Sequence, residues 1–353
     1  MDHLDNPDEL FEFARVSRAD ELPPPRAKTI DVALLDMNHN WTNLGHDSLV
    51  RDIGLITGGL RDRLLAADLT VRVISFDVRR GLVLPEGPKA GRYLLYVGSG
   101  GPGHLDPRFN DGLTFESQGV EESIDWEQPL FDLFEAIRRH DKAALIAVCH
   151  SFGLLCRWAK IAEAVLRGAE KDGKSSGVVL NYLTDDALDH PYFSQFAAEL
   201  KDHRHCRVLD NRLFDLIPTD PNAMYGVQVI GRESKGEPEG GESVTMIEFQ
   251  RDRGGVMPKI FGVNHHPEII DRKNALFVLR EKFDQGEVTE QWYEERSRSL
   301  TQELPGEDLG DLLRMTSFYT LIKPLRFHLE RAIRERISNL AALPEESAPV
   351  ANA

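Results

Sequence analysis

The chain has 353 residues, room for one large domain with additions or for two domains. With 41% hydrophobic residues it carries enough apolar side chains for a sizeable core, and too many for a disordered chain. Its formal charge of −16 disfavours nonspecific binding to nucleic acid or to an anionic membrane.

No apolar run approaches the ~20 residues that span a bilayer. The three cysteines, Cys149, Cys156 and Cys206, are too few and too odd in number for a disulfide framework. Residues 1–20 are acidic and lack the apolar stretch of a signal peptide. A reducing cytoplasm is the expected home of a chain with free cysteines.

Residues 1–29 read as an N-terminal extension. Pro7 to Phe11 is expected to start a short helix with Asn6 as N-cap, and Pro23-Pro24-Pro25 then forces extended chain. Ile30–Leu35 is a short apolar strand that ends in the polar Asp36-Met37-Asn38. Residues 46–67 carry helical spacing at Leu49, Ile53, Ile56, Leu60 and Leu64. Strands follow at 71–76 and 93–97, the second running into Gly98-Ser99-Gly100-Gly101-Pro102-Gly103. A helix around 128–140 precedes a strand at 143–148. From about Phe152 to Ala169 the spacing predicts one long helix.

Strands that are nearly all apolar and alternate with helices point to a parallel sheet covered on both faces. Such sheets bind ligands beyond the C-terminal ends of their strands. The Gly-rich loop and Cys149 both fall at such ends. Residues 178–183 and 206–209 read as strands. Three more, at 227–230, 244–249 and 259–263, are expected to pair antiparallel, with Gly231 to Gly241 an exposed loop. Beyond Asp271 the pattern is helical at 272–284, 288–303 and 307–340, with a break near Pro324. Residues 271–343 therefore read as a helical extension and 344–353 as a disordered tail.

Cys149 sits between a strand end and a helix start, where the helix dipole favours a thiolate. A tight strand-to-helix turn needs small neighbours, and Ala147 and Ser151 fit. The N–H of His150 and an N–H of the Gly100-Gly101 loop are suited to stabilise a developing oxyanion. The competing reading is a buried Cys that fills space; Cys156 and Cys206 are read that way. Far along the chain, His266 and Glu268 stand two apart, so in extended chain they face one side. The carboxylate can orient the imidazole, leaving the other ring nitrogen for the thiol. His265 should point the opposite way. Neither His265-His266 nor His203-Arg204-His205-Cys206 has a recognised metal-ligand spacing, so no metal or other cofactor is expected.

These blocks resemble class I glutamine amidotransferases in order over residues 30–270. Asp36 to Asn43 resembles that family's first loop, Ser99 to Gly103 its oxyanion loop, Cys149 its nucleophile, and Gly262 to Glu268 its His-Pro-Glu block. The resemblance implies a flavodoxin-like, doubly wound, mostly parallel α/β sheet. It implies hydrolysis or transfer of a γ-glutamyl-type amide through a thioester. Cys149 is then nucleophile, His266 base and acid, and Glu268 its orienter; Gly100, Gly101, His150, Ser151 and Gly153 surround the substrate. Ammonia would pass to a separate synthase. The sequence departs from the family at Ser151 (usually Gly), at Gly153 (usually Gln) and over the long stretch 103–124.

Two further readings stand beside this one. Cys149 to Gly153 also resembles the α/β-hydrolase elbow, with Ser151 as nucleophile and Asp220 and His266 as partners. Alternatively, the fold serves binding without catalysis. Gly98, Gly100 and Gly103 spell a dinucleotide fingerprint, but Pro102 and Pro107 interrupt the helix it requires. The last helix carries apolar residues from Ile322 to Leu340 and a basic opposite face. It is read as packing on its own core rather than as a docking face for a second copy.

Overall fold

The computed structural model describes residues 9–41, 43–168, 173–220, 224, 226–234 and 240–342. The described residues form one ten-stranded sheet and a separate two-stranded ribbon. In the sheet, β1 (Phe11–Val16), β3 (Thr70–Asp77), β2 (Thr29–Asp36), β4 (Tyr93–Gly98), β5 (Ala144–Val148) and β12 (Pro258–Val263) lie side by side and run parallel. Without β1, this is the 2-1-3-4-5 order of flavodoxin-like folds. The sheet continues antiparallel through β11 (Gly240–Arg251), β10 (Gln228–Ser234), β7 (Ser175–Leu183) and β8 (His205–Arg212).

Each central strand is largely apolar on both faces because helices cover both. Ile30, Val32 and Leu34 of β2 pack beneath α1 (Leu44–Gly58) and α10 (Lys323–Ala341). The short helices α2 (Arg61–Ala66), α5 (Asp185–Asp189) and α6 (Phe193–Glu199) join the same core through Leu64, Ala187 and Phe193. Ala33 and Leu35 point the other way, toward α3 (Glu127–Arg139) and α4 (His150–Ala159). This alternation is the period-2 geometry of a strand. The chain is thus an α/β, doubly wound fold, as expected.

The N-terminal segment enters this frame. Residues 1–8, with the expected helix start at Asn6 and Pro7, lie outside the described residues. Phe11, expected in that helix, instead begins β1 and pairs with Val71. The helix expected to run to Ala169 stops at Ala159. Lys160 turns left-handed (φ 56°), and Ala162–Leu166 forms β6, paired antiparallel with β9 (Phe214–Pro218). Apolar residues at 162, 164 and 166 satisfy the period of a strand, and the neighbouring β9 decides between the two readings. The expected loop from Gly231 to Gly241 is also shorter at both ends. Gly231 is buried in β10 and pairs with Leu183 and Met246, while Gly240 and Gly241 belong to β11. Residues 235–239 lie outside the described residues, as does the tail from 343.

The C-terminal helices α7 (Arg272–Asp284), α8 (Glu290–Thr301), α9 (Leu309–Ser317) and α10 do not form a detached appendage. In α10, Leu325, Leu329 and Ile333 are fully buried on the sheet. Burial of each such side chain contributes about 1.5–3 kcal/mol. This is the packing on its own core that the sequence suggests. The break near Pro324 is a π-helical turn, Phe318–Ile322. Pro324 has no N–H to offer the carbonyl four residues back, and the chain widens there. No described helix is long and apolar enough to cross a membrane.

Candidate active site

The C-terminal ends of β2, β4, β5 and β12 share one edge of the sheet, and the loops beyond them converge on Cys149. Cys149 follows β5 directly with φ 52° and ψ −105°, a conformation costing a non-Gly residue about 1–3 kcal/mol. Its N–H donates to the Val263 carbonyl at 2.7 Å, so β12 holds the turn from one side. From the other side, the Ser99 carbonyl accepts from Ser151 N–H at 3.3 Å and from Ser151 Oγ at 2.7 Å. The thiol is left partly exposed while its neighbours are buried.

β12 delivers the second group. After Val263 the chain turns, and His266 N–H donates to the Leu209 carbonyl of β8 at 2.8 Å. His266 Nδ1 then meets Glu268 Oε1 at 2.8 Å. The two side chains meet across a turn rather than along an extended strand. His265 points away as expected, with Nε2 3.4 Å from Thr320 Oγ1, and burial lowers its pKa to about 3. Burial alone would lower the pKa of His266 too. The charges of Glu268 and Cys149 overcome that and hold its imidazole well above the usual histidine range. His266 Nε2 is buried and makes no hydrogen bond of ordinary geometry among the described residues, but it is near enough to Cys149 for the two side chains to interact.

Glu268 is held by the first loop. Asn43 caps α1, its Oδ1 accepting from Gly45 N–H at 2.6 Å and from His46 N–H at 3.4 Å. Asn43 in turn donates to Asn38, and Asn38 donates to Asp36. This brings Gly45 so close to Glu268 Oε1 that a Cβ there would collide with it. Gly45 carries no side chain because the carboxylate occupies that space.

The Gly-rich loop is fitted just as closely. A Cβ on Gly100 would lie 3.1 Å from His266 Cε1 and 3.8 Å from Cys149 Sγ. A Cβ on Gly101 would overlap the Met37 carbonyl. Arg79 clamps this arrangement from below. It is buried, pairs with Glu122 through two bonds of 2.6 and 2.7 Å, and donates to the carbonyls of Met37 and Pro102. The long stretch 103–124 is thereby tied to the Gly-rich loop. It also supplies Leu105, whose side chain fills the space beside Gly153. The N–H of His150 opens α4 and has no acceptor within the helix.

Ser151 is buried, bonded to Ser99, and packed where a Cβ of Gly98 would be. It does not line the cavity above Cys149, and Asp220 is exposed elsewhere. The structure does not bring Ser151, Asp220 and His266 together.

That cavity has a volume of about 740 Å³. It is lined by Cys149, His150, Gly101 and His266, and also by Lys174, Arg296 and other residues absent from the sequence reading. Asn264 lines it as well, with its amide nitrogen buried and unpartnered. Nothing in local sequence marks Lys174 or Arg296. Gly45 had a local signal, standing just after an N-cap Asn. Among the described residues no three His, Cys, Asp or Glu side chains are grouped to hold a metal.

No protein-family model matches the chain, and no curated protein matches it. Solved structures similar to it include a putative GMP synthase subunit protein from Thermoplasma acidophilum, at 10% identity and TM-score 0.38, covering 67% of this chain and 84% of that one. Another is the glutaminase domain of Trypanosoma brucei CTPS with bound acivicin, at 9% identity and TM-score 0.42, covering 67% and 86%. A third is a putative ThuA-like protein from Bacteroides uniformis, at 12% identity and TM-score 0.32, covering 73% and 91%. Likeness at this level says nothing about activity.

Proposed function

We propose that the chain is a cysteine-dependent amidohydrolase or acyltransferase of glutamine amidotransferase type, acting on a γ-glutamyl-type amide. The observation that carries this reading is the convergence of Cys149, His266 and Glu268 from two distant segments. The Cys149 thiolate attacks the amide carbonyl, and the oxygen that gains charge lies within reach of N–H groups of the Gly100-Gly101 loop and His150. The imidazolium of His266 gives its proton to the leaving nitrogen as the C–N bond breaks, leaving a thioester. A water or an acceptor amine then attacks the thioester while His266 takes its proton. The thiolate departs and the acid or the new amide is released. Glu268 stabilises the charged imidazole throughout. Ammonia, where it is the leaving group, passes to solvent or to a separate acceptor protein.

Intact mass after treatment with a glutamine-like chloroketone tests this. Labelling of wild type and Ser151→Ala, lost in Cys149→Ala, is the expected result. Labelling that persists in Cys149→Ala overturns the reading, and loss in Ser151→Ala alone transfers the role to the serine.

A further inference from the structure

The residues that converge on Cys149 make only part of the cavity. Much of the rest comes from α8, including Trp292, Arg296 and Leu300, and from Lys174 just before β7. Arg296 lies over the Trp292 ring at 5.1 Å. Neither Arg296 nor Lys174 forms an ion pair or hydrogen bond with a described residue, whereas the enclosed Arg79, Arg167 and Arg212 each sit in an ion pair. Two unpaired cations therefore face the same cavity as the thiol. The space falls within the ~300–1,000 Å³ of sites for drug-sized ligands, wider than a free amino acid requires.

We propose that Arg296 and Lys174 form an anion subsite, and that the acyl donor is an elongated molecule with an apolar body and a carboxylate or phosphate. Its amide lies at Cys149, its body against Trp292 and the cavity's leucines, and its anionic group on the two cations. Glu295 also lines the cavity and acts on both cations, but at more than ion-pair distance. A cation withdrawn from water without a direct partner is costly, and an anionic ligand supplies that contact. The electrostatics agree with this. Burial pulls the Arg296 guanidinium down to about 10, whereas the negative charges of Cys149 and Glu295 push it up. Lys174 is likewise lowered by burial, then by Arg296, and raised by Glu295 and then by Cys149.

The proposal rests on Cys149 being the nucleophile, and the test keeps the two apart. Second-order rates of Cys149 alkylation by iodoacetate and by iodoacetamide are measured on the full chain, by mass and peptide mapping. Loss of a nearby cation reduces the thiolate fraction and slows both reagents equally, so their ratio isolates recognition of the anion. The ratio should fall roughly tenfold in Arg296→Gln/Lys174→Gln and recover in part with Arg296→Lys. Glutarate and inorganic phosphate, tested separately, should protect wild type against iodoacetamide and not the double variant. The one that protects at lower concentration tells carboxylate from phosphate. A ratio unchanged by the variants, or protection by neither anion, overturns the subsite and leaves the nucleophile standing. Failure of iodoacetamide to reach Cys149 in wild type overturns the nucleophile and the subsite together.

Discussion

The two halves of the sheet hold their parts of the cavity by different means. In the parallel half, the groups around Cys149 are set by glycine backbone packed closely on its neighbours. Gly45 abuts Glu268, Gly100 abuts His266 and Cys149, and Gly101 abuts the Met37 carbonyl. In the antiparallel half, the cavity wall is set by charge. Arg212 of β8 bonds to Asp210 at 2.6 Å, Asp215 at 3.0 Å and Glu233 at 2.7 Å, and Arg167 ties the last two again. Contact distances fix a reacting atom closely, whereas side-chain charges can change without moving the backbone. On the proposed reading, chemistry falls in the first half and selectivity in the second.

Breaking the charge network should have the largest effect on stability. Arg212→Ala leaves three carboxylates around an empty space and is expected to cost about 3–5 kcal/mol in denaturant unfolding. In the fraction that remains folded, Cys149 should still react with iodoacetamide. Loss of that reactivity would mean that the two halves are not separable.

Gly101→Ala attacks the other half. The added methyl displaces the loop from Met37 and takes an N–H away from the oxyanion. Turnover should fall roughly 10²–10³-fold, as when one oxyanion donor is removed. Single alkylation of Cys149 needs no oxyanion and should persist. Turnover near wild type would assign the donor to another residue.

The smallest effect concerns Asp52 of α1, which is buried near Glu268 with one carboxylate oxygen unpartnered. Burial raises its pKa from 3.8 to about 7, with Arg51 opposing and Glu268 adding. Between those values the folded chain keeps a proton that the unfolded chain has lost, so stability falls as pH rises through the window. A shift of that size is worth at most ~4 kcal/mol. Asp52→Asn removes the slope but keeps a buried polar group, so a gain of about 1–2 kcal/mol at pH 8 is expected. Unfolding of both proteins at pH 5 and pH 8 measures it. An equal pH dependence in both would show that Asp52 is ionised in the folded state.

The parallel core was legible because strands covered on both faces must be mostly apolar, and those at 30–35, 71–76, 93–97 and 143–148 are, apart from the buried Asp31–Arg72 pair and Ser75. The turn at Cys149 was legible for a related reason, since a strand that stops at a small polar residue before a helix leaves few geometries. Segments compatible with two periods were not legible: residues 162–166 suit a helix or a strand until β9 lies beside them. Gly153 looked like an absent side chain, and the structure shows Leu105 in that space.

Local sequence by itself determined which strands are central, where the Cys-containing turn lies, and that His266 and Glu268 belong together, because each depends on neighbours in the chain and on elementary backbone geometry. Tertiary structure alone decided that Phe11–Val16 completes the sheet, that Ser151 is turned into the protein, and that α8 brings Arg296 to the cavity of Cys149. Those outcomes depend on contacts between residues far apart in the chain, or on which of two equally compatible neighbours is present, and no local pattern encodes them.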